Sequence, residues 1–166
     1  MNDVEKLTRK TVEDGGVLAM LYFDIHAKTE ELVKELGTGF INEIIHKPGV
    51  VFALGEIEKP EGGSETKNWS SIIEIKVLTK DFQTLANICM AHSPFTIEIL
   101  RPDEINLQLS EAHSLLSLMA AITAEYKRHI LTKLAKPGEL GKIEETLKRR
   151  AEMGKKILSK KEKGDE

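Results

Sequence analysis

The chain has 166 residues, 40% hydrophobic and 31% charged, which is enough apolar content for one packed core and too much for a disordered chain. No apolar run approaches the roughly 20 residues that span a bilayer, and charges stand where a signal peptide has its apolar core, so we expect a cytoplasmic protein. The single cysteine, Cys89, excludes an intrachain disulfide and a thiolate zinc cluster built from one chain.

The net charge of −3 conceals a difference between the two ends of the chain. Residues 136–166 carry 10 basic and 7 acidic side chains, which leaves 14 basic and 20 acidic before them. Phosphate binding needs clustered Lys and Arg, so the acidic body disfavours nucleic acid and only the tail could supply a basic cluster.

The pattern of the first two thirds predicts an α+β fold. Residues 1–16 read as a short N-terminal helix that ends at Gly15-Gly16. Residues 17–109 read as strand, helix, strand, strand, helix, strand, which is the ferredoxin-like βαββαβ sandwich with both helices on one face of the sheet. The helices are expected to begin after the caps Thr29 and Asp81. The strands are expected at Val17–His26, Val50–Glu58, Ser70–Thr79 and Phe95–Leu100, with the first and third central and the second at an edge.

A long helical extension follows the predicted sandwich. Residues 110–135 form a packing helix with Ser110 as its cap, and residues 136–166 form a charged helical tail. Four apolar positions of the packing helix follow one another at spacings of four, three and four, the seam of a helix that packs against another surface. These positions are Leu115, Met119, Ile122 and Tyr126.

The predicted sandwich leaves one face of its sheet without helices. That face should carry an apolar set too large for a soluble monomer to expose, namely Leu18, Met20, Tyr22, Ile72, Leu78 and Leu100. We expect the packing helix to cover it, within one chain or between two chains. The further apolar stripe of Ile143 and Leu147 favours a homo-oligomer.

The segment from Val17 to Leu100 resembles the ferredoxin-like regulatory modules known as ACT and RAM domains. The resemblance lies in KPGVVFALGEIE, whose Pro48-Gly49-Val50 turn opens the second strand, and in SSIIEIKVLTKDFQTLANI. It implies a module that dimerises and binds amino acids or other small effectors between chains. The whole sequence, rich in Ile, Lys and Glu, is also similar to small archaeal proteins of unassigned function.

No motif in the sequence carries an enzyme's chemistry. It contains no P-loop, dinucleotide fingerprint, nucleophile elbow or helical zinc-protease motif, so no catalytic residue is predicted. Asp24 with His26 and Cys89 with His92 form two separate pairs rather than a convergent ligand set, and we expect no metal and no cofactor. The third strand lacks the aromatic and glycine pattern of an RNA-recognition motif, which argues against nucleic acid on the sheet.

The sequence therefore favours a non-catalytic, self-associating binding or regulatory module, with room for a small-molecule effector and no membrane partner. Two alternatives stay open at this point. One is a nucleic-acid-binding protein that uses the basic C-terminal tail, and the other is an enzyme whose site is assembled from dispersed residues.

Overall fold

The computed structural model describes residues 3–62, 68–136 and 138–162. It has a mixed α+β fold with a helix before the sheet domain and two helices after it. The elements in chain order are α1 (Asp3–Glu13), β1 (Val17–Ala27), α2 (Glu30–Ile45), β2 (Val50–Ile57), β3 (Glu61–Gly62), β4 (Trp69–Thr79), α3 (Phe82–His92), β5 (Thr96–Arg101), α4 (Leu109–Leu134) and α5 (Leu140–Glu162).

The strands form one open antiparallel sheet in the order β2-β4-β1-β5, and β3 pairs with β4. The two long apolar strands β1 and β4 are central and β2 is at an edge, as the sequence predicted. The order of elements differs from the predicted one by the two-residue strand β3. No described helix is long and apolar enough to cross a membrane.

The core lies on the face of the sheet that α2 and α3 cover. Alternate residues of β1 and β4 point to this face, and helix residues such as Ile44, Leu85 and Ile88 pack onto them. The odd positions of β4 are buried among these helices. The strand residues of the core are Val17, Ala19, Leu21, Phe23, Ala53, Ile73, Ile75 and Val77.

Capping side chains fix where the helices of the sheet domain begin. The Thr29 hydroxyl accepts a hydrogen bond from the backbone N–H of Leu32 at 3.2 Å, and the Asp81 carboxylate accepts one from Thr84 at 2.7 Å, so both predicted caps are confirmed. The predicted cap Ser110 is wrong, since α4 already begins at Leu109. The Glu111 carboxylate instead accepts a hydrogen bond from the Gln108 N–H at 2.8 Å, half of a capping box.

The chain divides into two compact units, Met1–Leu116 and Ser117–Glu166, so the boundary lies within α4. The first unit holds the sheet and α1 to α3. The second unit holds most of α4 and all of α5, with an ion pair between Arg128 and Glu125 on α4. Within it the Glu139 carboxylate accepts a hydrogen bond from the Lys136 N–H at 3.1 Å, just before α5 begins.

A tight turn joins α1 to β1. Gly15 has a φ of +97°, and the Gly16 N–H donates to the Thr11 carbonyl at 2.8 Å. A Cβ on Gly16 would lie 2.5 Å from the Thr79 carbonyl oxygen, which belongs to the central strand β4 and cannot move aside. The turn therefore requires glycine at position 16 for close approach, independently of φ.

Replacing Gly16 by Ala should lower the free energy of unfolding by about 1 to 3 kcal/mol, because the added methyl group forces the backbone apart. The matched control is Gly39→Ala on α2, where a Cβ meets nothing within 4 Å and the helix gains up to about 1 kcal/mol. Urea unfolding of both variants measures the difference. Equal stabilities would contradict the close packing of the α1–β1 turn.

Candidate functional site

The face of the sheet opposite α2 and α3, here called the open face, is covered in part by α1. Register places Leu18 beside Leu78 of β4 and Arg101 of β5, and it places Lys76 between Met20 and Leu54. Leu78 is fully buried, although its side chain points away from the helices of the core. The sequence predicts a helix at α1 without a partner for it, so this cover was not predicted.

A cavity of about 620 Å³ lies between α1 and the open face, and we call it the open-face cavity. The helix contributes one wall, and residues of the four strands β1, β2, β4 and β5 contribute the floor. Most of its lining is apolar, and these side chains are Val4, Val12, Leu18, Phe52 and Leu54. Volumes of roughly 300 to 1,000 Å³ with a mainly apolar lining are typical of small-molecule sites.

Charged groups at the open-face cavity are mostly cationic. Arg9, Lys76 and Arg101 contribute to the lining together with the carboxylates of Glu5 and Glu13. Arg9 pairs with Glu13 at 3.1 Å along α1, and Arg101 lies 3.5 Å from Asp103. Lys76 has no ion pair within 4 Å among the described residues, so its ammonium group is the one most available to an added anion.

The spacing of α1 explains why it can form this wall. Val4, Thr8 and Val12 recur every fourth residue and therefore share one side of the helix, and all three line the cavity. No residue of α1 is buried, so the helix rests on the sheet without burying its side chains fully. Val4 and Val12 indicate from the sequence that α1 has an apolar side. The stripe is too short and weak to predict that this side packs on the open face of the sheet.

A second cavity, of about 640 Å³, lies beside α2 on the helix-covered side and contains His92. The His92 ring makes an edge contact with Phe40, with ring centroids 5.3 Å apart. Its side chain is only 12% exposed, and its buried Nε2 has no hydrogen-bond partner among the described residues. The nearest carboxylate oxygen, from Glu43, is 3.7 Å away and is itself engaged by Lys47 at 2.9 Å.

The pKa of His92 is held below its usual value, mainly because burial disfavours the imidazolium and secondly because Lys47 repels it. Glu43 acts in the opposite direction without overcoming burial. The folded protein therefore favours neutral His92, and this cavity presents an uncharged imidazole at neutral pH.

Asp24 with His26 and Cys89 with His92 are the two residue pairs considered above as metal ligands. The Asp24 carboxylate and His26 Nε2 contact each other at 2.9 Å on the exposed part of β1. Burial raises the pKa of the Cys89 thiol, which favours its unreactive protonated form. Within residues 3–62, 68–136 and 138–162, no group of three or more His, Cys, Asp or Glu is arranged to hold a metal ion.

The four predicted packing positions of α4 lie on one stripe that the single chain leaves largely accessible. Met119, Ile122 and Tyr126 are 49%, 40% and 68% exposed, and Leu115 is half-buried. No residue of α4 is buried. The helix carries eight exposed large apolar side chains, which are Leu109, Leu116, Met119, Ile122, Tyr126, Ile130, Leu131 and Leu134.

A family model matches residues 18–148, which run from the second residue of β1 into α5. The chain belongs to the MJ0538 family. The family is uncharacterised and named after an archaeal protein, which agrees with the archaeal character expected from the sequence. No curated protein and no solved structure shows significant similarity to the chain.

The extent of the MJ0538 match bears on both candidate surfaces. It includes all of α4, so the apolar stripe lies within the family region, whereas α1 and the last 18 residues lie outside it. The floor of the open-face cavity is therefore within the family region and its α1 wall is not. The match adds nothing to the resemblance to ACT and RAM modules, which stays a prediction.

His92 should make the stability of the protein depend on pH. Because its pKa in the folded state lies below the ordinary value of 6.5, the unfolded chain binds the proton first as the pH falls. The contribution of His92 is complete above about pH 6.5 and is lost as the pH falls from there towards the folded pKa. Urea unfolding at pH 7.5 and pH 5.5 should show a smaller loss of stability in His92→Phe than in the wild type, and equal losses would contradict this.

Proposed function

We propose that this member of the MJ0538 family is a non-catalytic, self-associating binding module in the cytoplasm. The observation that carries the proposal is α4, a helix of 26 residues with no buried residue and eight exposed large apolar side chains. Exposed apolar surface of this extent on a water-soluble chain is typical of an interaction site. The simplest partner is a second copy of the chain. The two copies would form a homo-oligomer through the stripe of Leu115, Met119, Ile122 and Tyr126.

The spacing of the stripe supports helix-to-helix packing between copies. Spacings of four, three and four residues place these side chains on one narrow seam, as in paired helices that interlock side chains. His129 continues the seam one step further along the chain. Opposite the seam, α4 carries the small residues Ser117 and Ala124, and Leu131 lies on that side one heptad further along the chain.

The fold supports a regulatory role in which the sheet domain binds a small effector. We propose that the sheet domain is ferredoxin-like, with β3 as an addition to the βαββαβ plan, and that the resemblance to ACT and RAM modules extends to effector binding. The antiparallel order β2-β4-β1-β5 with α2 and α3 on one face agrees with that plan. The effector would then occupy a cavity of the sheet domain rather than a catalytic centre.

The experiment is to compare Met119→Glu/Ile122→Glu with the wild type by sedimentation equilibrium. The wild type should be a homo-oligomer, and the double variant should bind itself roughly 100-fold more weakly, since burying each side chain contributes about 1.5 kcal/mol or more. Because both side chains are exposed in the single chain, circular dichroism should still show a folded protein.

The matched control places the same two charges on the opposite side of α4, as Ser117→Glu/Ala124→Glu. Both positions are exposed, and they lie about half a helical turn from the seam. This control should keep the wild-type mass. A monomeric wild type, or equal masses for the wild type and the Met119→Glu/Ile122→Glu variant, would refute the proposed interface.

A further inference from the structure

The open-face cavity combines an apolar interior with a cationic side. We infer that it binds an amphipathic monoanion, an alkyl carboxylate of medium length, with its chain between α1 and the sheet and its carboxylate at Lys76, Arg101 and Arg9. This inference rests on the binding role proposed above and names its ligand class, and it does not depend on self-association.

The apolar part of the ligand follows from the walls of the cavity. Val4 and Val12 face it from α1, and Leu18, Phe52 and Leu54 face it from the sheet. Val4 and Leu54 are both exposed, so an alkyl chain between them would remove apolar surface that the protein alone leaves in water. The volume of about 620 Å³ lies within the range of small-molecule sites.

The charge of the ligand follows from the cations. Lys76 is half-buried between Leu54 and Met20, and it has no ion pair within 4 Å among the described residues. A long cationic side chain on an apolar floor places its ammonium group at the edge of that floor, where a carboxylate can meet it. Arg101 and Arg9 add two further cations to the lining.

Lys76 lies between the open-face cavity and a neighbouring depression of the sheet that contains two carboxylates. Glu56 and Glu74 lie opposite each other one row further along the open face, and they are not part of the open-face cavity. Inside its lining, Glu13 is already paired with Arg9, and Glu5 is a second carboxylate on α1. A cationic amphiphile would be repelled by Lys76, and a neutral one would leave Lys76 without an anionic partner.

Isothermal titration of the full-length protein with decanoate tests the inference. Decanoate should bind, and lengthening the chain from octanoate to decanoate should strengthen binding by roughly tenfold, the effect of burying two more methylene groups. Decanol should bind roughly tenfold more weakly than decanoate, and decylamine more weakly still, because each loses the charge-assisted hydrogen bond. Equal binding of the three head groups, or no binding of decanoate, would overturn the inference.

Two variants assign the site. Lys76→Met keeps the length of the side chain and should weaken decanoate roughly tenfold while leaving decanol unchanged. Lys28→Met removes the same charge from an exposed position outside the cavity and should leave both ligands unchanged. Identical decanoate affinities in these two variants would overturn the assignment.

The monomerising variant separates this inference from the proposed self-association. Met119→Glu/Ile122→Glu leaves the open-face cavity intact, so it should bind decanoate as the wild type does, whether or not the wild type is an oligomer. Binding that appeared only in this variant would mean that another copy fills the cavity of the wild type, and it would overturn the inference.

Discussion

The pairing of β1 with β4 is the interaction on which the rest of the structure depends. Eleven residues of each strand pair in continuous register, from Val17 opposite Thr79 to Ala27 opposite Trp69. Because side chains alternate between the two faces of a strand, this register places one apolar set under α2 and α3 and a second set on the open face. A shift of the register by one residue would exchange the two sets. Burial of the core set therefore fixes the register, and the register in turn fixes which residues lie on the open face.

The two faces of the sheet differ in burial as a consequence. The helix-covered face supplies most of the core, and burial there accounts for Leu21, Ile75 and Val77, which are fully buried. The open face is covered only in part by α1, which has no buried residue of its own. The proposed ligand site rests on the apolar floor, the partial cover and a Lys76 that has no ion pair within 4 Å among the described residues, and the proposed association rests on the separate apolar stripe of α4.

Much of the fold could be predicted from the sequence because its signals are local. Alternation in β1 and β4 and the capping residues Thr29 and Asp81 predicted elements and central strands that the structure has. The start of α4 was predicted wrongly. The helix begins at Leu109, and the Glu111 carboxylate, instead of the Ser110 hydroxyl, accepts a hydrogen bond from the backbone at this end, from the Gln108 N–H. The cover by α1 and the orphan Nε2 of His92 could not be predicted, because both depend on which distant residues meet in the folded chain.

Native-state hydrogen exchange tests most directly the claim that the sheet and its two helices hold the domain while α1 is a weakly held cover. Amides in β1 and β4 should exchange only through global unfolding, whereas the hydrogen-bonded amides of α1 should exchange through local opening with protection at least roughly tenfold lower. Such a pattern would agree with an α1 that can open locally and admit a ligand to the open-face cavity. Protection in α1 equal to that in β1 would contradict the account, because it would make α1 part of the same cooperative core.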